Sequence, residues 1–372
     1  MNRNICYITY QTFPANTANS VQTISNIDYF VKNDCDVSLI YPLREKKSSN
    51  SIKEIQDFYN ISASINIKGL DHKYPFGKIK FFERLMFHIS HYLWAKKTVK
   101  SLDNNIYDFY MTRSDWIFYF LLRKTKKRVV FECHKISKLR KVILKLCLKK
   151  SNAKVIYLNK KLMDVFSKLN NEMNSLVLHN GVDLEEFKNS ETENKKMDIV
   201  FLGNLQRFSK SRNIKYAIDG FVKSKLSDSF SLKIIGGPES ISNSLRDYVN
   251  KNYENENIKI LGPQGRIDAK NSLNNARVGI LINDKDDEHS YLHSSPLKYF
   301  EYLASNLKIV ASDFPAHREL PYSENIIFFN LNNLESFSNA LEQSLVQESK
   351  IIDLDKISLD YRIKKILEFI DN

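Results

Sequence analysis

The chain has 372 residues, a formal net charge of +13 and 42% hydrophobic residues, with only 10 glycines and 8 prolines. This length favours two domains of ordinary size, and the composition excludes a disordered or repeat-built protein. No apolar run approaches the roughly 18 residues needed to cross a bilayer, so we expect a cytoplasmic protein. The four cysteines, Cys6, Cys35, Cys133 and Cys147, form no disulfide framework and no zinc pattern.

The first segment predicts the opening of a doubly wound sheet. A strand from Asn4 to Tyr10 is followed by a polar loop, a helix with Val21 and Ile24 facing inward, and the strand DVSLIYP. Ligands bind at the carboxyl ends of such strands, where Asn19 and Ser20 would lie. A plain solvated loop accounts for these two residues equally well.

An aromatic-rich helix is predicted from Tyr74 to Lys100, either packed in a core, which we favour, or partly on lipid. Two strands follow, YDFYMTRS and KRVVFECH. Glu132 and His134 are two residues apart, so they share one side of the second strand and can face a cleft at its end. The residues alone favour a capped or solvated histidine at His134 over a catalytic one.

Almost all of the positive excess lies in residues 1–190, and it is densest from Arg123 to Lys150, where Glu132 is the one acidic residue. This segment predicts a helix with an apolar face and a cationic face. The predicted inward residues are Ile136, Leu139, Val142, Ile143, Leu146 and Cys147, and the predicted cationic residues are Lys138, Arg140, Lys141, Lys145, Lys149 and Lys150. Charge of one sign without acidic partners favours an anionic membrane surface. Nucleic acid is disfavoured because no aromatic residues interleave with the lysines, and a solvated face is the remaining interpretation.

The segment SLVLHNGVDLEEF ends in an Asn180-Gly181 turn and is followed by a polar linker, which places a domain boundary near Asp183. The second half again alternates strands and helices. Three cations, Arg207, Lys210 and Arg212, occupy a predicted loop before a helix. The acidic run that begins at Asp284 suits a solvated loop better than a metal site.

Residues 294–313 predict a loop, a short helix and a buried strand. Ser294 or Ser295 is the predicted N-cap, Pro296 lies in the first turn, and Glu301 stands among apolar neighbours. Free N–H groups at a helix start can hold a phosphate, and a carboxylate along its side can hold a polyol hydroxyl. This combination suits a nucleotide sugar, although an ordinary helix start with a solvated glutamate gives the same pattern.

These motifs resemble those of retaining glycosyltransferases of family 4. The resemblance covers nearly the whole chain. It is strongest at Asn180 to Phe187, within the family's HNGVD…F segment, and in the donor motif, which reads here Ser295, Pro296, Leu297, Lys298, Glu301, Ala304 and then IVASD. It implies the GT-B fold, an α/β architecture of two facing doubly wound domains with a cleft between them.

The resemblance also implies roles for individual residues. In the family, the matching glutamate grips the donor ribose, and a basic residue before the helix, best matched by Arg212, neutralises the diphosphate. The implied donor residues are Glu301, Ser295, Pro296, Leu297, Lys298, Arg212, Lys210, Arg207, Gly237, Gln264 and His293, with His293 standing where the family has its first motif glutamate. The implied catalytic residues are His134 and Glu132, and those of the acceptor site or interdomain cleft are Asn19, Ser20, Arg113, Asn180 and Gly181.

The resulting expectation is an acceptor domain over 1–183, a donor domain over 184–353 and a C-terminal helix over 354–372 that returns to the first domain. The expected function is transfer of a hexose-type sugar from a nucleoside diphosphate donor, expected to be UDP, to a hydroxyl of a lipid-linked or cell-surface glycan. The transfer is expected to retain the anomeric configuration of the sugar. We expect no metal cofactor, no nucleic-acid partner and a peripheral location on the inner face of the cytoplasmic membrane. The alternatives are a nucleotide-sugar epimerase of the same fold and a non-catalytic scaffold.

Overall fold

The computed structural model of the chain describes residues 3–73, 82–103, 105–169, 173–187, 196–207, 210–254 and 256–372. The chain divides into two units. The first unit comprises Met1–Leu178 and Leu359–Asn372, and the second comprises His179–Ser358. The sequence placed the boundaries near Asp183 and at residue 354, whereas the structure divides the chain after Leu178 and after Ser358. The Asn180-Gly181 turn therefore belongs to the second unit, and the last helix belongs to the first.

The first unit is a parallel sheet with helices on both faces. Its strands in chain order are β1 Arg3–Ile8, β2 Cys35–Leu43, β3 Asn66–Asp71, β4 Phe109–Thr112, β5 Arg128–Cys133, β6 Ala153–Tyr157 and β7 Ser175–Val177. Among the described residues, the strands lie in the spatial order β3-β2-β1-β4-β5-β6-β7. The order reverses direction between β1 and β4, where ligands bind in doubly wound sheets.

The strands of this sheet are apolar on both faces because helices cover both. Its helices are α1 Ala18–Lys32, α2 Ile52–Tyr59, α3 Glu83–Ser101, α4 Asp115–Lys124, α5 Lys138–Cys147, α6 Lys160–Asp164 and, after the second unit, α13 Leu359–Asp371. Ile5 and Tyr7 of β1 face a core that includes α1 and α13, whereas Cys6 and Ile8 face the core formed with α3, α4 and α5. Alternate residues of one strand therefore fill two cores.

The second unit repeats this architecture. Its strands are β8 Asp198–Leu202, β9 Gln206–Arg207, β10 Lys210–Ser211, β11 Ser231–Ile235, β12 Ile258–Gly262, β13 Val278–Leu281, β14 Lys308–Ser312 and β15 Ile326–Phe329. Its helices are α7 Ile214–Lys223, α8 Glu239–Asn252, α9 Arg266–Asn275, α10 Leu297–Ala304, α11 Pro315–Arg318 and α12 Leu334–Val346. The main sheet has the order β12-β11-β8-β13-β14-β15, with its reversal between β8 and β13. The expectation of two doubly wound α/β units is confirmed.

In helix α5, the buried and exposed side chains differ from those predicted. Arg140, expected on the cationic face, is buried and donates from Nε and Nη2 to the carboxylate of Asp115 (2.6 and 3.1 Å). Val142 and Leu146, expected to face inward, are 57% and 49% exposed. The reason is that Leu144 packs in the core, which rotates the buried stripe by about one residue.

Helix α3 has one buried face and one exposed apolar face. Trp94, Ala95 and Val99 pack in the core, which agrees with the preferred interpretation of this segment, although its predicted start at residues 74–81 lies outside the described residues. Leu85, on the other face, is 53% exposed, as are Ile89 and Leu93 to a smaller extent. None of the helices in the described part of the chain is both long enough and apolar enough to span a membrane.

Candidate functional site

In the first unit, charged side chains converge at the carboxyl ends of β4 and β5. Glu132 is fully buried and accepts hydrogen bonds from Arg113 Nε at 2.9 Å and from Arg362 Nη2 of α13. His134 Nε2 lies 3.2 Å from Glu132 Oε1. We refer to Glu132, His134, Arg113 and Arg362 as the first-unit cluster. Two sheet strands and the last helix of the unit meet at one carboxylate.

The first-unit cluster fixes the protonation states of its members. Burial alone would raise the pKa of Glu132, but Arg113, Arg362 and His134 hold it well below its ordinary value. Burial, reinforced by Arg113, lowers the pKa of His134 to about 4. At neutral pH, Glu132 is therefore an ionised carboxylate whose lone pairs are engaged, and His134 is a neutral imidazole. Of the two predicted catalytic residues, His134 is the one with a nitrogen able to serve a substrate.

The predicted acceptor residues of the first unit lie beside this cluster. Arg113 Nη1 donates to the backbone carbonyl of Asn19 (3.2 Å), so one guanidinium joins the start of α1 to Glu132. Ser20 is buried, and its hydroxyl lies 2.8 Å from Oγ1 of Thr17, the N-cap of α1. Ser20 therefore serves the helix start, whereas Asn19 remains exposed.

Sequence reasoning missed Arg362. Its signal was present: Arg362 lies between Leu359 and Ile363 on the apolar face of an amphipathic helix, and these two residues are in the core. An arginine in such a stripe requires a buried anion. The sequence could not identify that anion, because Glu132 lies 230 positions away along the chain.

In the second unit, the donor motif is braced by the turn that precedes it in sequence. The N-cap of α10 is Pro296, and no side chain caps this helix, so the predicted serine cap is wrong. Ser295 instead accepts a hydrogen bond at Oγ from the backbone N–H of Asn180 (3.0 Å), while Asn180 Nδ2 donates to the carbonyl of Ser295. Gly181 is required there, because a Cβ would lie 2.9 Å from the carbonyl oxygen of Ser358.

The first turn of α10 buries a lysine side chain. Lys298 is 7% exposed, and its Nζ lies 3.8 Å from the ring centroid of Phe201. No described residue accepts a hydrogen bond from this Nζ. Burial and the neighbouring guanidinium of Arg212 lower the pKa of Lys298 well below its ordinary value, and Glu301 opposes them only in part. A buried ammonium beside a second cation is costly unless an anion binds.

Glu301 lies one turn further along α10 and is half-buried. Burial raises its pKa, Arg266 and Lys298 lower it, and Glu186 raises it. Arg266 itself is held by Glu186 in a two-pronged pair, with N···O distances from 2.7 to 3.2 Å. We refer to Lys298, Arg212, Glu301, Arg266 and Glu186 as the second-unit cluster. Glu186 was not predicted, and nothing in its local sequence distinguishes it from a solvated glutamate.

The strand ends beside this cluster are glycine-rich because their backbones approach closely. Gly203 N–H donates to the carbonyl of Ile235, and Gly236 N–H donates to the carbonyl of Gly262 (2.9 and 2.8 Å). A Cβ on Gly236 would lie 1.8 Å from the oxygen of Gly203, so no other residue fits. The predicted Gly237 follows directly and packs against Pro263, and Gln264 is exposed in the next turn.

The predicted basic loop is partly a β-hairpin. Gln206–Arg207 pairs antiparallel with Lys210–Ser211. The two strands of this hairpin contain two of the three candidate cations, Arg207 and Lys210. The structure describes the backbones of Arg207 and Lys210 but not their side chains. Arg212 follows the hairpin, donates its N–H to the carbonyl of Leu205 (3.2 Å), and immediately precedes Asn213, the N-cap of α7. The order of Arg212 before a helix start agrees with the sequence interpretation.

His293 lies at the end of a π-helical turn, His289–His293, immediately before the donor motif. It is buried, and its Nε2 is 3.9 Å from Glu288 Oε1. In the neighbouring acidic run, Asp284 accepts from the N–H of Asp286 and Asp287 accepts from the hydroxyl of Ser290. Within the described parts of the chain, no group of three His, Cys, Asp or Glu residues suits a metal ion.

Comparisons with known proteins relate the second unit to a protein family and the whole chain to solved structures. Residues 196–347, most of the second unit, match the family model described as glycosyl transferases group 1. The second unit therefore carries a domain of glycosyltransferase type. Because the match covers less than half of the chain, the first unit is placed by fold alone. A search of curated proteins finds no match to the sequence.

Solved structures share the fold over the whole chain. A glycosyltransferase from Rickettsia africae ESF-5 aligns with a TM-score of 0.68 at 14% identity, covering 100% of this chain and 98% of that one. The lipopolysaccharide outer core galactosyltransferase WaaB in its apo form gives 0.64 at 12% identity and 99% coverage of both chains. A trehalose-6-phosphate protein from E. coli, bound with UDP-2-fluoro glucose, gives 0.64 at 11% identity, with 99% and 95% covered. The chain has the GT-B fold.

Proposed function

We propose that the chain is a retaining glycosyltransferase that uses a nucleoside diphosphate sugar as donor. The observation that carries the proposal is the buried side-chain nitrogen of Lys298, for which no described residue is a hydrogen-bond acceptor and whose pKa is lowered by burial and by the neighbouring Arg212. An anion with two phosphates would supply the countercharge that the described side chains leave incomplete. When the bond from sugar to diphosphate breaks, negative charge develops on the leaving group, and these cations would stabilise it.

The donor assignment rests on Glu301 and the glycine-rich strand ends. A half-buried carboxylate can accept hydrogen bonds from sugar hydroxyls, and backbone at Gly203 and Gly236 allows a ligand to approach closely. We propose UDP as the nucleotide, supported by the UDP-2-fluoro glucose that one structural neighbour binds. The sugar is proposed to be a hexose. Calorimetry with UDP, GDP and ADP tests the base, and donor hydrolysis with a panel of UDP-sugars tests the sugar.

The proposed role of His134 is to contact the reacting sugar or the acceptor hydroxyl. Its neutral state above about pH 4 suits hydrogen bonding to a hydroxyl. Glu132 is proposed to orient His134 rather than to exchange protons itself, because it is held ionised by two arginines. Proton NMR of the first product formed would give its anomeric configuration. Inversion would contradict the retaining mechanism.

We propose that no metal ion takes part. In this proposal, Lys298, Arg212 and the N–H groups that begin α10 do the work that a divalent cation does in other enzymes. Transfer should persist in excess chelator. Loss of activity that manganese or magnesium restores would contradict this and would direct attention to Asp284, Asp286 and Asp287.

The acceptor is proposed to be a lipid-linked or cell-surface glycan, reached from the inner face of the cytoplasmic membrane. Exposed Lys138, Lys141 and Lys145 of α5 alternate with the exposed apolar residues Val142 and Leu146, which is a pattern suited to anionic headgroups above acyl chains. Each lysine contributes on the order of 1 kcal/mol near such a surface. Three Lys→Glu substitutions here should release the chain from anionic vesicles without changing UDP affinity. Wild type that binds nucleic acid instead would contradict the membrane assignment.

Two alternatives are separated by the same assays. An epimerase would convert the nucleotide sugar without an acceptor, whereas a transferase should release UDP faster when membrane extract supplies one. A non-catalytic scaffold is favoured by His293 at the position of the first motif glutamate. It would bind UDP but release nothing from a donor sugar under either condition.

A further inference from the structure

A second cationic site lies at the opposite edge of the first sheet from the first-unit cluster. A cavity of about 510 Å³ opens at the amino ends of β5 and β6, and it is lined by Lys126, Arg128, Lys149, Lys150 and Lys154. We refer to it as the amino-edge cavity. Arg128 begins β5 and Cys133 ends it, so β5 separates the two sites by roughly 16 Å. The basic segment noted in the sequence therefore contributes to a concave site as well as to a helix face.

The described side chains around the amino-edge cavity do not compensate its positive charge. None of the described side chains that line it is acidic. Among the described side chains, no carboxylate pairs with Lys126, Arg128, Lys149 or Lys150. Two acids line the neighbouring cavity that shares Arg128, and both are engaged. Asp371 pairs with Arg3 at 2.8 Å, and Asp108 accepts from the N–H of Asn4 at 2.8 Å.

One of these cations is buried. Lys154 is 3% exposed; its Nζ donates to the carbonyl of Phe369 at 3.0 Å and lies 4.6 Å from the centre of that ring. An ammonium has three donors, so this contact leaves two for a ligand. Burial, and then the positive charge of Arg128, lower the pKa of Lys154. This is the electrostatic condition that a bound anion relieves.

The loops that carry these cations are tied together in advance. Asn152 Nδ2 donates to the carbonyls of Thr125 and Lys127 at 3.0 and 2.9 Å, and its own carbonyl accepts from the N–H of Val129. The loop before β5 and the loop before β6 are therefore held by one side chain. Loops whose backbones are already held lose little backbone freedom when a ligand binds.

We propose that the amino-edge cavity binds a phosphate-class oxyanion, either a diphosphate or a phosphate ester. Four ammonium groups and one guanidinium supply point charges and a planar fork, which is the combination that recognises phosphate oxygens. Its volume lies in the range of ordinary small-ligand sites. The anion could come from a free metabolite or from a phosphorylated headgroup, since both present the same oxygens.

The test uses inorganic pyrophosphate as probe and calorimetry as readout. The cavity variant combines Lys126→Gln, Arg128→Gln and Lys150→Gln, which are exposed or half-exposed side chains outside the cores. It leaves Lys154 in place, because Lys154 packs against α13. Loss of even one charge-assisted hydrogen bond weakens binding about tenfold or more. We expect the cavity variant to lose one pyrophosphate site, or to bind it at least tenfold more weakly, while UDP binding stays unchanged.

The matched control removes the same charge from another surface of the same unit. It combines Lys46→Gln, Lys47→Gln and Lys53→Gln, all exposed. We expect the control to bind pyrophosphate as wild type does. Equal pyrophosphate binding by wild type and the cavity variant, or equal weakening in the control, would overturn the proposal.

A second arm distinguishes the two sources of the anion. Phosphatidylcholine vesicles with and without phosphatidic acid are sedimented with wild type and with the cavity variant. Binding of wild type that needs phosphatidic acid, is lost in the variant and is displaced by pyrophosphate supports the site with a headgroup as occupant. Pyrophosphate binding without such vesicle binding supports the site with a free phosphate. Vesicle binding that the cavity variant retains and pyrophosphate does not displace, together with unchanged calorimetry, overturns it.

Discussion

The first-unit cluster and the second-unit cluster both gather charged side chains beside the carboxyl ends of sheet strands, but their charges are balanced differently. In the first unit, Glu132 is enclosed by Arg113 and Arg362, so its charge is satisfied by the fold. In the second unit, Lys298 is buried beside Arg212, and its Nζ donates a hydrogen bond to no described residue. A buried carboxylate with two cationic partners stabilises a unit, whereas a buried lysine nitrogen with no hydrogen-bond acceptor costs stability and marks the place for a ligand.

The largest expected effect is the loss of unfolding free energy when a substitution disrupts the first-unit cluster. Glu132→Ala leaves Arg113 and Arg362 buried without a counterion, which should cost about 3–5 kcal/mol of unfolding free energy. Both tryptophans of the chain, Trp94 and Trp116, lie in the first unit, so tryptophan fluorescence in urea reports this unit selectively.

The control for this measurement is an exposed pair in the second unit. Glu239→Ala removes the partner of Arg246, 2.6 Å away, and should cost less than about 1 kcal/mol in a probe of whole-chain unfolding. A loss below about 1 kcal/mol for Glu132→Ala would show that the first-unit cluster is not the stabilising centre described here.

The next effect is a loss of first-unit stability in acid. Burial lowers the pKa of His134 from 6.5 to about 4, so the unfolded chain takes up this proton more readily than the folded chain. The corresponding stability is present above pH 6.5 and is lost as the pH falls through the interval from 6.5 to about 4. It amounts to at most about 3 kcal/mol.

His134→Asn should remove this part of the acid sensitivity. Urea denaturation near neutral pH and at about pH 4 should show a smaller difference for the variant than for wild type. The loss due to Glu132 itself falls at lower pH, because its pKa lies well below the ordinary value of 4.5. Identical pH dependence in the two proteins would mean that His134 titrates normally.

The sequence predicted most of the fold because the spacing of apolar residues that distinguishes strands from helices is a local property of the chain. It also brought together Glu132 and His134, and likewise Lys298 and Glu301, because residues two apart on one strand or three apart on one helix are neighbours by construction. What it could not predict was set by tertiary packing. The serine cap at α10 failed because Asn180, far away in sequence, engages Ser295. The prediction that Arg140 lies on the cationic face was wrong for the same reason, since Arg140 is paired with Asp115, which lies on another helix.

The second-unit cluster is tested from the opposite direction by Lys298→Met. Methionine keeps the buried stem and removes a charge that burial penalises, so unfolding free energy should stay the same or increase. UDP affinity should fall about tenfold or more, because a charge-assisted hydrogen bond is lost. Calorimetry and thermal denaturation give the two readouts, with exposed Lys259→Met as control. Lower stability without loss of UDP affinity would make Lys298 a structural residue.

The smallest effect is expected for Glu301→Gln, which distinguishes a ligand-binding carboxylate from a stabilising one. Burial raises the pKa of Glu301 above 4.5, so the folded unit favours the protonated form, and ionisation costs stability as the pH rises through the folded pKa. Glutamine removes that cost. At neutral pH the variant should therefore be as stable as wild type or slightly more stable, and the difference should vanish below pH 4.5, where both folded and unfolded chains are protonated.

Donor binding should change in the other direction, with UDP affinity about tenfold weaker, because an ionised acceptor of sugar hydroxyls becomes a neutral one. Glu324→Gln removes an exposed carboxylate of the same unit and should leave affinity unchanged. If Glu301→Gln binds UDP as wild type does, Glu301 does not contact the nucleotide. If it lowers stability at neutral pH, the second-unit cluster is balanced like the first, and the contrast between the two clusters fails.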